Sequence, residues 1–268
     1  MTTDAPLLTV DSVHMTFRLG GGKVTKAVQD ISVSVAAGES LGIVGESGSG
    51  KSTLASIICG LLRPDSGSVT IAGREVYKHW SVDRQLWRDV QMIFQDPYTS
   101  LNPAMSIGEI IAEPLRLWHG VAKAEAKARV PELLERVGMD PAAGDSRTSQ
   151  LSGGQRQRIS IARALAVAPK LMVFDESVSA LDVSVQAQIL ELLRDLKQDI
   201  GLSYIFISHD IGVIRLVSDR VLVMNRGQAM EICPTDQLTV DKVQTEYTRT
   251  LLSAVPRIAV PHVGAVQV

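Results

Sequence analysis

Eight residues near the start of this chain constrain its fold most. Gly45-Glu46-Ser47-Gly48-Ser49-Gly50-Lys51-Ser52 fits G-x4-G-K-[ST], a phosphate-cradling pattern. The run before it, Leu41-Gly42-Ile43-Val44, is apolar without alternation. That suits a strand buried on both faces. The run after it, Lys51 to Leu62, reads as a helix. A strand that turns through glycines into a helix aims successive backbone N–H groups and a helix N-terminus at one spot, which attracts phosphate. Glycine at 45, 48 and 50 permits the turn and a close approach. Lys51 adds a point charge toward the outer phosphates, and the Ser52 hydroxyl is placed to ligate Mg²⁺.

The rest of the chain is organised around that unit. Leu7 to Phe17 and Ala27 to Val35 read as strands separated by Gly20-Gly21-Gly22, and Gly67 to Ile71 reads as another. Residues 106–138 are helical in pattern, with Val130, Leu133, Leu134 and Val137 at i, i+3, i+4 and i+7. Pro131 belongs at a helix start or a kink. Alternation then resumes as LMVFD strand, helix, YIFIS strand, helix, VLVM strand. Val185, Ile189, Leu192, Leu193, Leu196 and Ile200 give the intervening helix one apolar face. The segment from Cys233 reads as a short, weakly helical extension. Alternating strands and helices imply a covered, mostly parallel sheet. The expected class is α/β, with an N-terminal antiparallel β subdomain and a helical insert at about 97–150.

Composition excludes several function classes. The 268 residues carry 27 basic and 29 acidic side chains, for a net charge of −2. A dedicated duplex-DNA binder needs a basic excess, so no nucleic-acid partner is expected. No run approaches the roughly 20 apolar residues of a membrane span. MTTDAPLLTV lacks a basic segment and carries Asp4, so a secretory leader is not expected. Cys59 and Cys233 alone make neither a disulfide framework nor a four-thiolate metal site, which points to a reduced cytosolic setting.

Three apolar strands end in polar groups. Leu171-Met172-Val173-Phe174 runs into Asp175-Glu176, Ile205-Phe206-Ile207 is closed by His209, and Met92-Ile93-Phe94 ends at Gln95. The C-terminal edges of strands are where open α/β sheets bind ligands. Asp175 would hold Mg²⁺, and Glu176 would accept a proton from an attacking water or orient it. Alone, a strand-ending Asp-Glu is more often a solvated turn, and a lone histidine is usually structural. The phosphate loop upstream reverses that balance. His209 would position water or touch a terminal phosphate, and Gln95 would touch the metal or the water. Leu151-Ser152-Gly153-Gly154-Gln155 precedes a second helix and reads as a second anion site. One nucleotide already has its cradle, so this second motif suggests nucleotide shared across a dimer interface.

With these motifs in this order, the chain resembles the ATP-binding subunits of ATP-binding cassette (ABC) transporters, a branch of the P-loop NTPases. The resemblance runs over about 7–255 as a single ATPase domain, with 256–268 as a tail. It implies Walker A at 45–52 with Thr53 beside it, the Q-loop Gln95, the signature at 151–155 and Walker B ending at Asp175. It further implies the catalytic Glu176, a D-loop at Ser179-Ala180-Leu181-Asp182 and the switch His209. Two such domains would sandwich two ATP molecules, each between Walker A of one and Ser152, Gly153, Gly154 and Gln155 of the other. Phe17 matches the adenine-stacking aromatic, although it equally suits a core position.

QDPYTSLNP at 95–103, DVSVQAQIL at 182–190 and EYTRTLLSAVP at 246–256 resemble the peptide/nickel importer subfamily. That implies ATP and Mg²⁺, a second ATPase subunit, two membrane permeases and, indirectly, a periplasmic solute-binding protein. It also implies a peripheral place on the cytoplasmic face of the cell membrane. The cargo would be di- or oligopeptides or related small solutes such as nickel chelates, glutathione or opines. Ser177 stands where proline is usual and Cys233 where glycine is usual. No iron–sulfur centre is expected. The alternative is the ATPase subunit of a soluble phosphonate-degradation complex.

Overall fold

A computed structural model of the chain describes residues 5–18, 20–22, 24–78, 81–82, 85–94, 100–179 and 181–254. In chain order, β1 (Leu8–Arg18), a 3₁₀ turn at Gly20–Gly22, β2 (Val24–Val35) and β3 (Ser40–Val44) lead into α1 (Lys51–Ile58). Next come β4 (Ser66–Ile71), β5 (Arg74–Glu75), the small pair β6 (Tyr77–Lys78) and β7 (Ser81–Val82), α2 (Leu86–Asp89) and β8 (Val90–Ile93). A helical stretch follows: α3 (Ile107–His119), α4 (Lys123–Ala128), α5 (Val130–Arg136) and α6 (Gly153–Leu165). The chain then alternates through β9 (Leu171–Asp175), α7 (Val183–Ile200), β10 (Ser203–Ser208), α8 (Ile211–Val217) and β11 (Arg220–Asn225), before β12 (Gln228–Pro234) and α9 (Glu246–Ser253).

Two sheets carry the architecture. An antiparallel sheet has the order β2-β1-β4-β5, and a second has the order β12-β11-β3-β10-β9-β8. In the second, β11, β3, β10, β9 and β8 run parallel and only β12 is antiparallel. The α/β class and mostly parallel sheet expected from the sequence are both present.

The pleat sorts the central strands' side chains into two cores. Leu41 and Ile43, Leu171 and Val173, and Ile205 and Ile207 join Leu54, Ile57 and Ile58 of α1 and the antiparallel sheet. Met172 and Phe174, Tyr204 and Phe206, and Val221 and Val223 join helices α3 to α8 on the other face. Phe174 meets Tyr204 edge-on at 6.0 Å and stacks on Phe206 at 5.9 Å. Burying each such ring is worth about 1.5–3 kcal/mol, which fixes the strand directly behind Asp175.

Local signals explain the helical stretch. The Ser106 Oγ accepts from the Glu109 N–H at 3.2 Å, and Glu109 Oε2 accepts from the Ser106 N–H at 2.9 Å, a reciprocal cap on α3. Pro131 lies in the first turn of α5, as expected for a residue without an N–H.

Two expectations need correction. The extension from Cys233 is helical only after Pro234, with a 3₁₀ turn at Thr235–Gln237 and then α9, because Gln228–Pro234 forms an edge strand paired with β11. Its sequence lacks an alternating apolar pattern, and the pairing follows from the tight Arg226-Gly227 turn, with φ of 47° and 81°. Ile200 does not share the apolar face of α7; it is 44% exposed just before the left-handed Gly201. The 256–268 tail lies outside the described residues.

The opposite, N-terminal ends of the parallel strands are tied by charge. The Asp219 carboxylate accepts from the Ser40 N–H at 2.8 Å, from the Ser40 hydroxyl at 3.0 Å and from Lys197. Burial pushes its pKa up, but these bonds outweigh burial and hold it below the usual carboxylate value. A depressed folded pKa contributes stability above the unfolded pKa and loses it as pH falls through the folded one. Asp219→Asn should therefore lower Tm at neutral pH. The gap to the unsubstituted chain should shrink as pH falls below about 4; a gap independent of pH in thermal melts would remove this network from the account.

Candidate functional site

The C-terminal ends of the parallel strands form one edge. Val44 is in register with Ser208, Ile207 with Asp175, and Phe174 with Ile93. The residues that follow each strand therefore emerge side by side: Gly45 after β3, Glu176 after β9 and His209 after β10.

The loop at 45–52 is shaped by backbone packing. A Cβ on Gly45 would lie 2.1 Å from the carbonyl oxygen of Met224. A Cβ on Gly50 would lie 2.1 Å from the carbonyl oxygen of Ala27, and Gly50 has a φ of 102°. No side chain fits either place. The Gly227 N–H donates to the Ser49 carbonyl at 2.9 Å, so the β11–β12 turn braces the loop from one side while β2 braces it from another. The Ser49 hydroxyl is buried without a hydrogen-bond partner among the described residues. Gly50 caps α1, and the helix's first backbone N–H groups have no acceptor in the preceding turn. Glu46, Ser47 and Gly48 are exposed, whereas Thr53 is half-buried on α1.

Lys51 is only 4% exposed, and its ammonium donates to the carbonyls of Gly45 at 2.8 Å and Glu46 at 3.0 Å. An ammonium has three donors, so one remains. Glu176 Oε1 stands 3.9 Å from the same nitrogen. Burial lowers the Lys51 pKa, with Glu176 and then Asp175 opposing that drop. The Ser52 hydroxyl donates to Asp175 Oδ1 at 2.9 Å. Burial raises the Asp175 pKa; the Ser52 bond lowers it, while Glu176 adds to the rise. The donor set suits a phosphate with a hard cation. It offers backbone N–H groups, one spare ammonium donor, a hydroxyl and a carboxylate of oxygen type.

Glu176 has a φ of 46°, a left-handed backbone that costs a residue with a Cβ about 1–2 kcal/mol. Its N–H donates to the Ile207 carbonyl at 3.1 Å, and its own carbonyl accepts from the Ser179 N–H and hydroxyl at 3.1 and 2.8 Å. The neighbouring strand and the following turn hold that conformation. His209 is exposed, directly before Asp210, whose carboxylate accepts from the Gly212 and Val213 N–H groups and caps α8.

Other expected residues lie elsewhere. Gln95 falls outside the described residues. Phe17 is exposed near the end of β1, paired with Thr25. Ser152 and Gln155 form a reciprocal cap at the start of α6, at 2.9 and 3.3 Å, with both side chains exposed. Gly154 is buried, and the space it leaves is filled by Val185 of the same chain. Asp182 is exposed at the start of α7.

Tyr247 on α9 had no role in the sequence reading. Its hydroxyl is buried; burial raises its pKa, the Glu46 backbone opposes that rise and the Glu46 carboxylate adds to it, so α9 packs beside the loop. Only the quoted segment EYTRTLLSAVP marked it in advance.

Comparison with known proteins gives consistent matches. Residues 28–179 match the family model described as ABC transporter. An oligopeptide transport ATP-binding protein, OppF of Haemophilus influenzae, is 46% identical over 93% of this chain and 78% of its own length. A di/tripeptide transport ATP-binding protein, DppF of Pseudomonas aeruginosa, is 47% identical over 89% of this chain and 74% of its own. Among solved structures, cbiO1 from Clostridium perfringens, part of an ABC transporter complex, superposes with a TM-score of 0.77 at 27% identity, covering 95% of this chain and 98% of its own. The dimeric post-hydrolysis state of the ATP-binding cassette MJ0796, bound to ADP and Pi, gives 0.75 at 29% identity, covering 85% and 98%.

The Gly50 contact is testable. Gly50→Ala should cost at least about 2 kcal/mol, combining a positive φ with a clash against rigid backbone. Urea unfolding measures this, and an unchanged midpoint would mean that the loop does not rest on Ala27.

Proposed function

The chain belongs to the ABC transporter family, and on that premise we propose that it is the ATP-hydrolysing subunit of a peptide importer. One observation carries the reading. The nest at 45–52, the Ser52–Asp175 bond and Glu176 converge on one sheet edge. The peptide assignment rests on the similarity to peptide-transport ATP-binding proteins, OppF and DppF among them.

In this reading the ATP phosphates lie against the N–H groups of Gly48, Gly50, Lys51, Ser52 and Thr53, with Gly45, Glu46, Ser47 and Ser49 shaping the loop; the Ser49 N–H is held by the Glu46 carbonyl. The spare donor of Lys51 takes a phosphate oxygen. Phosphate charge would add to that of Glu176 and Asp175 in favouring the charged ammonium against burial. Ser52, Asp175 and Gln95 would hold Mg²⁺, which when bound neutralises phosphate charge. Glu176, held in its strained backbone, accepts a proton from the attacking water or orients it, and His209 faces the terminal phosphate. Such transfer asks little covalent chemistry of a protein; positioning and charge stabilisation dominate. Phe17 would stack on adenine.

Ser152, Gly153, Gly154 and Gln155 form a capped helix start, with Ser152 and Gln155 exposed, fit to meet the nucleotide of a second ATPase subunit, and the exposed Asp182 would be an interface residue. The unit would run from about 7 to 255, with the helical stretch, about 97–150, docking beneath two permeases at the cytoplasmic face of the membrane. A solute-binding protein outside would supply the peptide. No helix among the described residues is long and apolar enough to cross a membrane, so the permeases would provide the path.

Two substitutions test the chemistry. Glu176→Gln should retain ATP binding and slow turnover at least about 100-fold, the scale of a lost general base. Lys51→Ala should weaken ATP binding itself. Calorimetric titration with a phosphate-release assay separates the two, and near-normal hydrolysis by Glu176→Gln would take Glu176 out of the role.

A further inference from the structure

The glycine pair at 153–154 has an explanation inside the chain. A Cβ on Gly154 would lie 2.3 Å from Cγ1 of Val185, with Val185 Cβ and Cγ2 at 3.7 and 3.9 Å. A Cβ on Gly153 would lie 3.2 Å from Cδ2 of Leu181. Val185 is half-buried in the first turn of α7, and its β-branched side chain has little freedom to rotate aside. It fills a notch that only glycine leaves open.

The notch connects to the catalytic edge. The Glu176 carbonyl accepts from the Ser179 N–H and hydroxyl, and the Val178 carbonyl accepts from the Leu181 N–H at 3.2 Å. The Asp182 carbonyl then accepts from the Gln186 N–H at 2.8 Å, starting α7. Ser177 and Val178 are buried, so the turn is anchored at its base. Turn hydrogen bonds thus hold the segment that follows Glu176, and the side chains of Leu181 and Val185 pack against the N-terminus of α6, where Ser152 is presented.

We infer that Val185 is a positioning residue. It sets the seat of the α6 N-terminus against the Glu176 turn, and Gly154 is glycine because Val185 needs the space, not because a nucleotide does. This rests on the reading of Ser152 to Gln155 as the turn that meets a partner's nucleotide. Under that reading Glu176 serves the chain's own ATP while Ser152 serves the partner's. The Val185 wedge therefore holds the two sites of one chain in a fixed relation.

A rescue experiment on the full chain tests this. Gly154→Ala should lower kcat at least about tenfold, because the added methyl drives α6 off Val185. Gly154→Ala combined with Val185→Ala removes the opposing methyls and should recover to within about threefold of the unsubstituted chain, a coupling that independent sites do not show. ADP affinity, which needs only the loop of one chain, should stay within about twofold throughout. A double variant as slow as Gly154→Ala overturns the inference, since the nucleotide would then be what demands glycine. A fall in ADP affinity would also overturn it. If Gly154→Ala does not fold in thermal melts, Val185→Ala alone decides: a reduced kcat with unchanged ADP affinity supports the wedge, and an unchanged kcat removes it. An unsubstituted chain that hydrolyses no ATP would instead sink the functional reading beneath it.

Discussion

Two backbone contacts underlie the phosphate loop: Gly45 against the Met224 carbonyl and Gly50 against the Ala27 carbonyl. The first anchors the loop to β11, the second to β2. The loop is thereby clamped where the parallel sheet and the antiparallel sheet approach each other. Lys51 completes the clamp from inside, turning its ammonium back onto the Gly45 and Glu46 carbonyls. A loop built this way is organised before any ligand arrives, so binding need not spend free energy ordering it.

The remaining fold delivers partners to that loop. The pleat of each central strand faces one side to α1 and the antiparallel sheet and the other to the α3–α8 layer. Both faces are dry, so the strands hold register and their last residues stay aligned. Asp175 reaches Ser52 because β9 is two strands from β3, with β10 between them. Glu176 then turns into a left-handed backbone that the neighbouring β10 supports through the Ile207 carbonyl. The opposing charges of Lys51, Asp175 and Glu176 share a partly buried space, and burial works against the charged form of both Lys51 and Asp175.

Much of this was legible in the sequence, for physical reasons. Apolar runs such as LMVFD and YIFIS announce buried strands, and a polar residue at their ends announces the sheet edge. The glycine loop announces its own turn. What could not be read is long-range. The edge strand Gln228–Pro234 has no apolar alternation and exists because its hairpin partner is already in the sheet. The neighbour that a side chain at Gly154 would meet is Val185, brought there only by the packing of α6 on α7. Tyr247 reaches Glu46 only once α9 is docked. Local pattern reports the strand and the loop; tertiary contact decides which residues brace them.

The central claim is that nucleotide phosphates lie in the backbone nest at the start of α1. Amide NMR on the full chain tests it most directly. Titration with Mg-ADP should move the backbone N–H resonances of Gly48, Gly50, Lys51 and Ser52 first and furthest, while amides at the opposite sheet end, such as Ser40, stay still. Saturable binding that leaves those four resonances unmoved would contradict the account.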